Sequence, residues 1–215
     1  MSIITERLTA LDTIHLDHGS HESFEAGHCA MEVVAFLAGE GHTDAPECAS
    51  KVLRSFTINL NDRWDDQTRQ RLVPFLPRMV GTAGDGQDEA RSYLALDWLI
   101  RSFTPTWLDL AGLSAEAAEL RGLRRIVDLA AAEAAGPVVR VARDRADAAG
   151  AAARAAAGDA AWAAAGDAAW AAARDAAGDA ARDAAEAALA PTVTTLQDSA
   201  LDLLDRMIDP SGVTE

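Results

Sequence analysis

Residues 28 to 41 read HCAMEVVAFLAGEG, and this run sets the fold class. Its central AMEVVAFLA is read as a buried helix with Met31, Val34, Phe36 and Leu37 turned inward. Gly39-Glu40-Gly41 ends it, because glycine accepts the left-handed geometry of a helix C-terminus. On the N-terminal side lies a polar, glycine-containing loop, HLDHGSHESFEAG. Before the loop, Ile3, Leu8 and Leu11 recur at near-helical spacing and predict a short first helix.

Toward the C-terminus, a second helix is expected near Asp44 or Ala45, since Pro46 tolerates a first turn and Asp caps free amides. Its inner stripe would be Val52, Leu53, Phe56 and Leu60. Asp65 is read as the N-cap of DQTRQRLVPFLPRMV, where Pro74 and Pro77 impose a kink or two short helices. GTAGDGQDE is read as a connector; it lacks the GK[ST] of a phosphate loop, and Asp85 would repel phosphate. EARSYLALDWLIRSF is a helix with Tyr93, Leu94, Trp98, Leu99 and Phe103 on its apolar side. Thr104-Pro105 opens another, carrying Trp107, Leu108 and Leu110. Ser114 caps a longer one with Leu120, Leu123, Ile126 and Leu129, and Gly136-Pro137 closes it.

From about residue 150 to 188 the chain repeats every four residues. One slot runs Arg154, Gly158, Trp162, Gly166, Trp170, Arg174, Gly178, Arg182, Glu186; the next is Ala or Asp, and the other two are Ala. Alanine is the best helix former, although each glycine costs about 1 kcal/mol against it. A period of four advances the large residue by about 40° per repeat, so the bulky groups spiral around the rod. Leucine-type heptads would hold them on one stripe. A single helix over 138–189 would reach about 75 to 80 Å, so the rod is expected to break at Gly150 or to pair with another copy. Pro191 is expected to stop it. TVTTLQDSALDLLDRMI then forms a last amphipathic helix whose face of Leu196, Ala200, Leu203, Leu204, Met207 and Ile208 must be covered. The expected fold is all-α: a globular helical domain over residues 1–136, then an alanine-rich helix or helical hairpin with a C-terminal helix over 137–215.

The burial capacity sits mostly before residue 130, where all five phenylalanines and three of the five tryptophans lie. The net charge is −15, and Lys51 is the single lysine. Such a surface repels phosphate backbones and anionic lipids, so nucleic acid and membranes are not the expected partners. The first fifty residues carry nine acids against Arg7 alone, which would suit a basic partner, a cation or simple solubility. Two cysteines make no disulfide framework, and no charged start followed by an apolar stretch marks a leader, so a cytoplasmic location is expected.

The block from His15 to Cys48 holds all five histidines and both cysteines. His21, His28, Cys29, Glu32, His42 and Cys48 are the types that bind zinc, and on a helix from residue 28 both His28 and Cys29 neighbour Glu32. The spacing is looser than paired C-x2-C ligands; loop histidines and two small buried thiols explain the same residues. A second reading makes Cys29 a nucleophile at a helix N-terminus, with a lowered thiol pKa and His21 or His42 as base. Asp97 and Arg101, at i and i+4, are read as a structural ion pair.

Several patterns in the chain resemble a group of all-helical proteins of actinobacteria and their phages. They are Gly19-x-His21-x-Ser23, Gly27-x-Cys29-x-Met31-Glu32, Ala38-Gly39-Glu40 and Asp44-x-Pro46-x-Cys48. Further pieces are Asn61-Asp62, Arg69-Gln70, Asp97-Trp98-Leu99 and Trp107-Leu108-x-Leu110-Ala111-Gly112-Leu113. The alanine tract alone is similar to segments of predicted immunity proteins of polymorphic toxin systems. The resemblance implies an all-helical fold and, if a metal or reactive centre exists, places it on His21, Cys29, Glu32 and Cys48. The expected function is a non-enzymatic interaction or inhibitor protein whose helical surfaces bind another protein, a basic one among the candidates, or a second copy through the alanine-rich helix. The competing expectation is a zinc- or thiol-dependent enzyme using the Cys/His block.

Overall fold

The computed structural model describes residues 2–164 and 170–212, and side chains within 2–152 and 187–211. Among the described residues every regular element is helical and there is no strand, as expected for an all-α chain. In chain order the α-helices are α1 (Ala30–Ala38), α2 (Lys51–Arg63), α3 (Asp66–Arg69), α4 (Leu76–Met79), α5 (Asp88–Trp98), α6 (Thr104–Leu110), α7 (Ser114–Gly122), α8 (Leu129–Ala164) and α9 (Trp170–Ile208). The chain divides into two compact units, one holding residues up to Ala95 together with those from Ala200 onward, the other Leu96–Ser199. No helix among the described residues is long and apolar enough to cross a membrane.

In the first unit α1 is buried on all sides, with Phe36 alone among its nine residues left partly exposed. A helix apolar all round belongs inside a core. Gly39 ends it at φ 78°, and a Cβ there would stand 2.7 Å from Ile4 Cδ1. The opening segment does coil, but as a 3-10 helix over Thr5–Asp12. The Ile4 N–H that precedes it donates to Leu37 O at 2.9 Å.

The second helix starts at Lys51 and not near Asp44. The Glu40 carboxylate accepts the N–H groups of Glu47 and Cys48 at 2.8 and 2.7 Å, which holds the approach irregular. Ser50 then caps the helix by accepting the Leu53 N–H. Its buried stripe is Leu53, Thr57 and Asn61; of the expected Val52, Leu53, Phe56 and Leu60, Leu53 alone is in it. The difference follows from Asn61, whose side chain has polar partners inside. Past Asp65, which accepts the Thr68 N–H at 2.9 Å, the two prolines act as expected: α3 gives way to a 3-10 turn over Gln70–Phe75 and then to α4.

The last turns of α9 cover this unit. Leu203, Leu204 and Met207 are fully buried, and Ala200 and Ile208 nearly so, five residues of the face read from the sequence. The fastening is electrostatic. Arg91 of α5 is 0% exposed, takes Asp85 in a two-pronged pair at 2.6 and 2.7 Å, and lies 3.2 Å from Asp88. Its Nε–H donates to Met207 O at 2.8 Å, at the carbonyl-rich end of α9, where a cation is favoured. Asp85 therefore anchors this arginine, and its loop is more than a connector. Arg78 also pairs with Asp205.

In the second unit the break expected at Thr104-Pro105 is a π-turn over Leu99–Phe103 that runs on into α6. Pro105 has no N–H to donate, and the Thr104 N–H reaches back five residues to Leu99 O. Leu99 and Leu110, expected inward, are 45% and 49% exposed. Leu113, not Ser114, stands at the N-cap of α7, which ends at Gly122. The chain leaves the helix because the Ile126 N–H bonds the Asp97 carboxylate at 2.8 Å. Asp128 then caps α8 by accepting the Ala131 N–H at 2.7 Å.

Three expected breaks are passed. α8 continues through Gly136-Pro137 and Gly150, and α9 continues through Pro191. At each proline the carbonyl four residues before belongs to an exposed residue, Glu133 or Ala187, where water can take the missing hydrogen bond. The question of one rod or a hairpin turns on residues 165–169, outside the described residues.

Arg91→Ala leaves two carboxylates and the end of α9 without their cation. Urea unfolding is expected to show a loss of about 3 kcal/mol or more, the order found on breaking buried pairs. Arg91→Lys, which lacks the planar fork, is expected to recover only part of it.

Candidate functional site

The polar block begins with a loop held from outside. Gln70 clasps Leu16 at both ends: its Oε1 accepts the Leu16 N–H at 2.8 Å and its Nε2 donates to Leu16 O at 3.0 Å. Asn61 accepts the Ala30 N–H at 3.1 Å and donates to Asp17 O at 2.9 Å. Asp62 accepts the Gly19 N–H at 2.9 Å. Buried Arg69 bridges Asn61 O and Trp64 O at 2.6 and 2.8 Å, closing the C-terminal end of α2. The four residues quoted above as Asn61-Asp62 and Arg69-Gln70 thus all bear on how this loop sits.

Inside the loop the centre is Glu32, 1% exposed. Its Oε1 accepts the His21 N–H at 2.7 Å, and its Oε2 accepts the Cys29 N–H at 2.7 Å and His21 Nδ1–H at 2.9 Å. His42 Nε2 stands 3.4 Å from Oε1 and donates to His21 O at 2.9 Å. A carboxylate has about four acceptor positions, and three of them take these donors, with the His42 ring close to the carboxylate. Burial works to raise the Glu32 pKa. The amides of His21 and Cys29 and the His21 ring outweigh it and hold the carboxyl below its usual value.

Cys29 and Glu32 also form a reciprocal cap at the start of α1, side chain to backbone in both directions. Gly27 makes the loop possible. Its φ is 138°, and a Cβ would meet His21 Cδ2 at 2.7 Å. Beside it, the His28 ring stacks on Phe24 at 4.3 Å and Phe24 on Phe36 at 4.4 Å. Arg7 lies 4.6 Å from the Phe36 ring centre and donates to Phe36 O.

The four candidate ligands therefore divide. His21, Cys29 and Glu32 converge, whereas the Cys48 thiol is set beside Glu40, whose carboxylate also takes the Cys48 N–H. Among the described residues there is no group of three or more His, Cys, Asp or Glu arranged to hold a metal. Zinc at His21, Cys29 and Glu32 would have to displace donors already seated on the carboxylate.

The thiol chemistry is corrected as well. A helix N-terminus was expected to lower the Cys29 pKa, but burial pushes it up to about 12, and the neighbouring Glu32 charge adds to the rise. Burial, with Glu40 beside it, pushes Cys48 up to about 12 as well. At neutral pH both are thiols, and a thiol is a weak nucleophile. Asp97 and Arg101 do pair, at 3.2 Å. Asp97 also takes the Ile126 N–H, and the neighbouring Trp98 Nε1–H donates to Ser199 Oγ at 2.7 Å.

Arg91 went unread in the sequence, and Asn61 entered only as part of a resembling pattern, with no role attached. A lone arginine or asparagine on an amphipathic helix carries no mark of burial. Comparison of the chain with protein-family models, with curated proteins and with solved structures finds no match.

Glu32→Gln removes the charge that the His21 and Cys29 amides face. At neutral pH the expected cost is about 1 to 3 kcal/mol in denaturant unfolding. Because the folded-state pKa is depressed, this stability is present above the usual carboxylate value of 4.5 and fades as pH falls through the lower folded value. The gap between wild type and variant should therefore close in acid.

Proposed function

We propose that this chain is a non-enzymatic interaction protein, an immunity- or phage-type accessory protein acting through the helical surface of its second unit. The observation that carries the reading is where apolar surface is left open. Among the described residues the exposed large apolar side chains, Leu99, Leu110, Val127, Leu129, Val141 and Val193, all lie between residues 99 and 193, in the second unit. Leu129 is 63% and Val141 51% exposed, both on α8.

Two facts support the choice over thiol or metal catalysis. The acceptors of Glu32 are engaged in folding, and both cysteines are held as thiols. The partner we assign is a basic protein. With a net charge of −15 the chain attracts a basic surface at long range, and apolar side chains then supply the close contact.

The test is capture from a lysate of the producing cells at low salt, followed by calorimetry with the purified captured protein. The expected result is a basic protein whose affinity falls at least about tenfold, or about 1.4 kcal/mol, when Leu129→Glu and Val141→Glu are combined. Raised salt should weaken it further. Equal binding by the variant, or a wild-type dimer in light scattering that the variant dissolves, contradicts this assignment.

A further inference from the structure

The small core of the second unit is built from Leu108, Ala117, Leu120 and Ala142, with Ile100, Val139 and Ala146 packed against it. α8 brings Val139, Ala142 and Ala146 to this core, and the two alanines leave space opposite the larger side chains. A cavity of about 220 Å³ remains, walled by Ile100, Leu108, Leu120, Val139, Ala142 and Ala146. An apolar cavity of about 150 Å³ takes up benzene, while pockets for drug-sized ligands begin near about 300 Å³. The space therefore suits one ring with a short extension, or a chain of similar bulk.

Two polar side chains reach this lining, Thr104 and Arg143. The Thr104 hydroxyl donates to Leu99 O at 2.7 Å, which directs its proton away from a ligand. Arg143 is 68% exposed and pairs with Asp144 at 3.2 Å on the surface, a contact of small worth. A guanidinium at the edge of apolar walls selects a carboxylate, which it can hold by two parallel hydrogen bonds.

We propose that this cavity is a binding site for a small amphiphilic carboxylate, its apolar part between α6, α7 and α8 and its acid group on Arg143. No residue of the Cys/His block takes part. The probes are phenylacetate and its neutral counterpart phenylacetamide, titrated into the full isotope-labelled chain and followed by amide resonances.

Phenylacetate is expected to give saturable shifts at Ile100, Leu108, Leu120 and Ala142 at millimolar concentration or below. Ala142→Leu, which fills the space, should abolish them with helical content unchanged. Arg143→Gln should weaken phenylacetate about tenfold, the loss of one charge-assisted hydrogen bond, and leave phenylacetamide unaffected. The proposal is overturned if wild type shows no saturable shifts, if Ala142→Leu keeps them, or if both ligands bind alike. Should Ala142→Leu lose helicity, the surface variant decides, and equal phenylacetate affinity in Arg143→Gln overturns the site.

Discussion

The carboxylate of Glu32 sits in the first turn of a helix that is otherwise apolar on every side. A buried charge is tolerated only where hydrogen bonds replace the water it has lost. The donors here come from the loop before the helix: two amides, the ring of His21 and, at longer range, the ring of His42. Much of the shape of residues 16 to 30 follows from delivering them. Gly27 takes a left-handed backbone so that His21 can lie against it, and Asn61, Asp62 and Gln70 receive the loop on its other side.

Arg91 plays the matching part at the other end of the first unit. Its guanidinium neutralises Asp85 and Asp88 and terminates α9 at Met207. Ser50, the cap of α2, donates to Asp88, so the start of one helix and the end of another share one polar network. Apolar burial supplies the bulk of the driving force, and these two buried charges specify which segments meet.

What the sequence disclosed followed from apolar periodicity and from proline pairs. AMEVVAFLA as a buried helix, with Phe36 the exception among the residues read as inward, the inward face of the C-terminal helix and the short helices around Pro74 and Pro77 stand as read. Single breakers misled, because a proline on an exposed helix face loses a hydrogen bond that water restores, so Pro137 and Pro191 interrupt nothing. The start near Asp44 failed for a different reason: Glu40 occupies the local amides before a helix can form. At the candidate site the residue types were visible, but their partners were not. Cys29 does stand at a helix start, yet its burial outweighs the favourable dipole.

The polar block of the first unit is engaged in holding its own loop, while the second unit carries exposed apolar side chains and a cavity; the division we propose is between folding and recognition. The division rests on Glu32 being an ionised structural acceptor. Its direct measure is the titration of the Glu32 side-chain carboxyl carbon by NMR in the intact protein. A midpoint below 4.5, with His21 protonated on Nδ1, is the predicted result. A midpoint at or above 4.5, or a carboxyl resonance displaced by stoichiometric zinc with the fold unchanged, would contradict it.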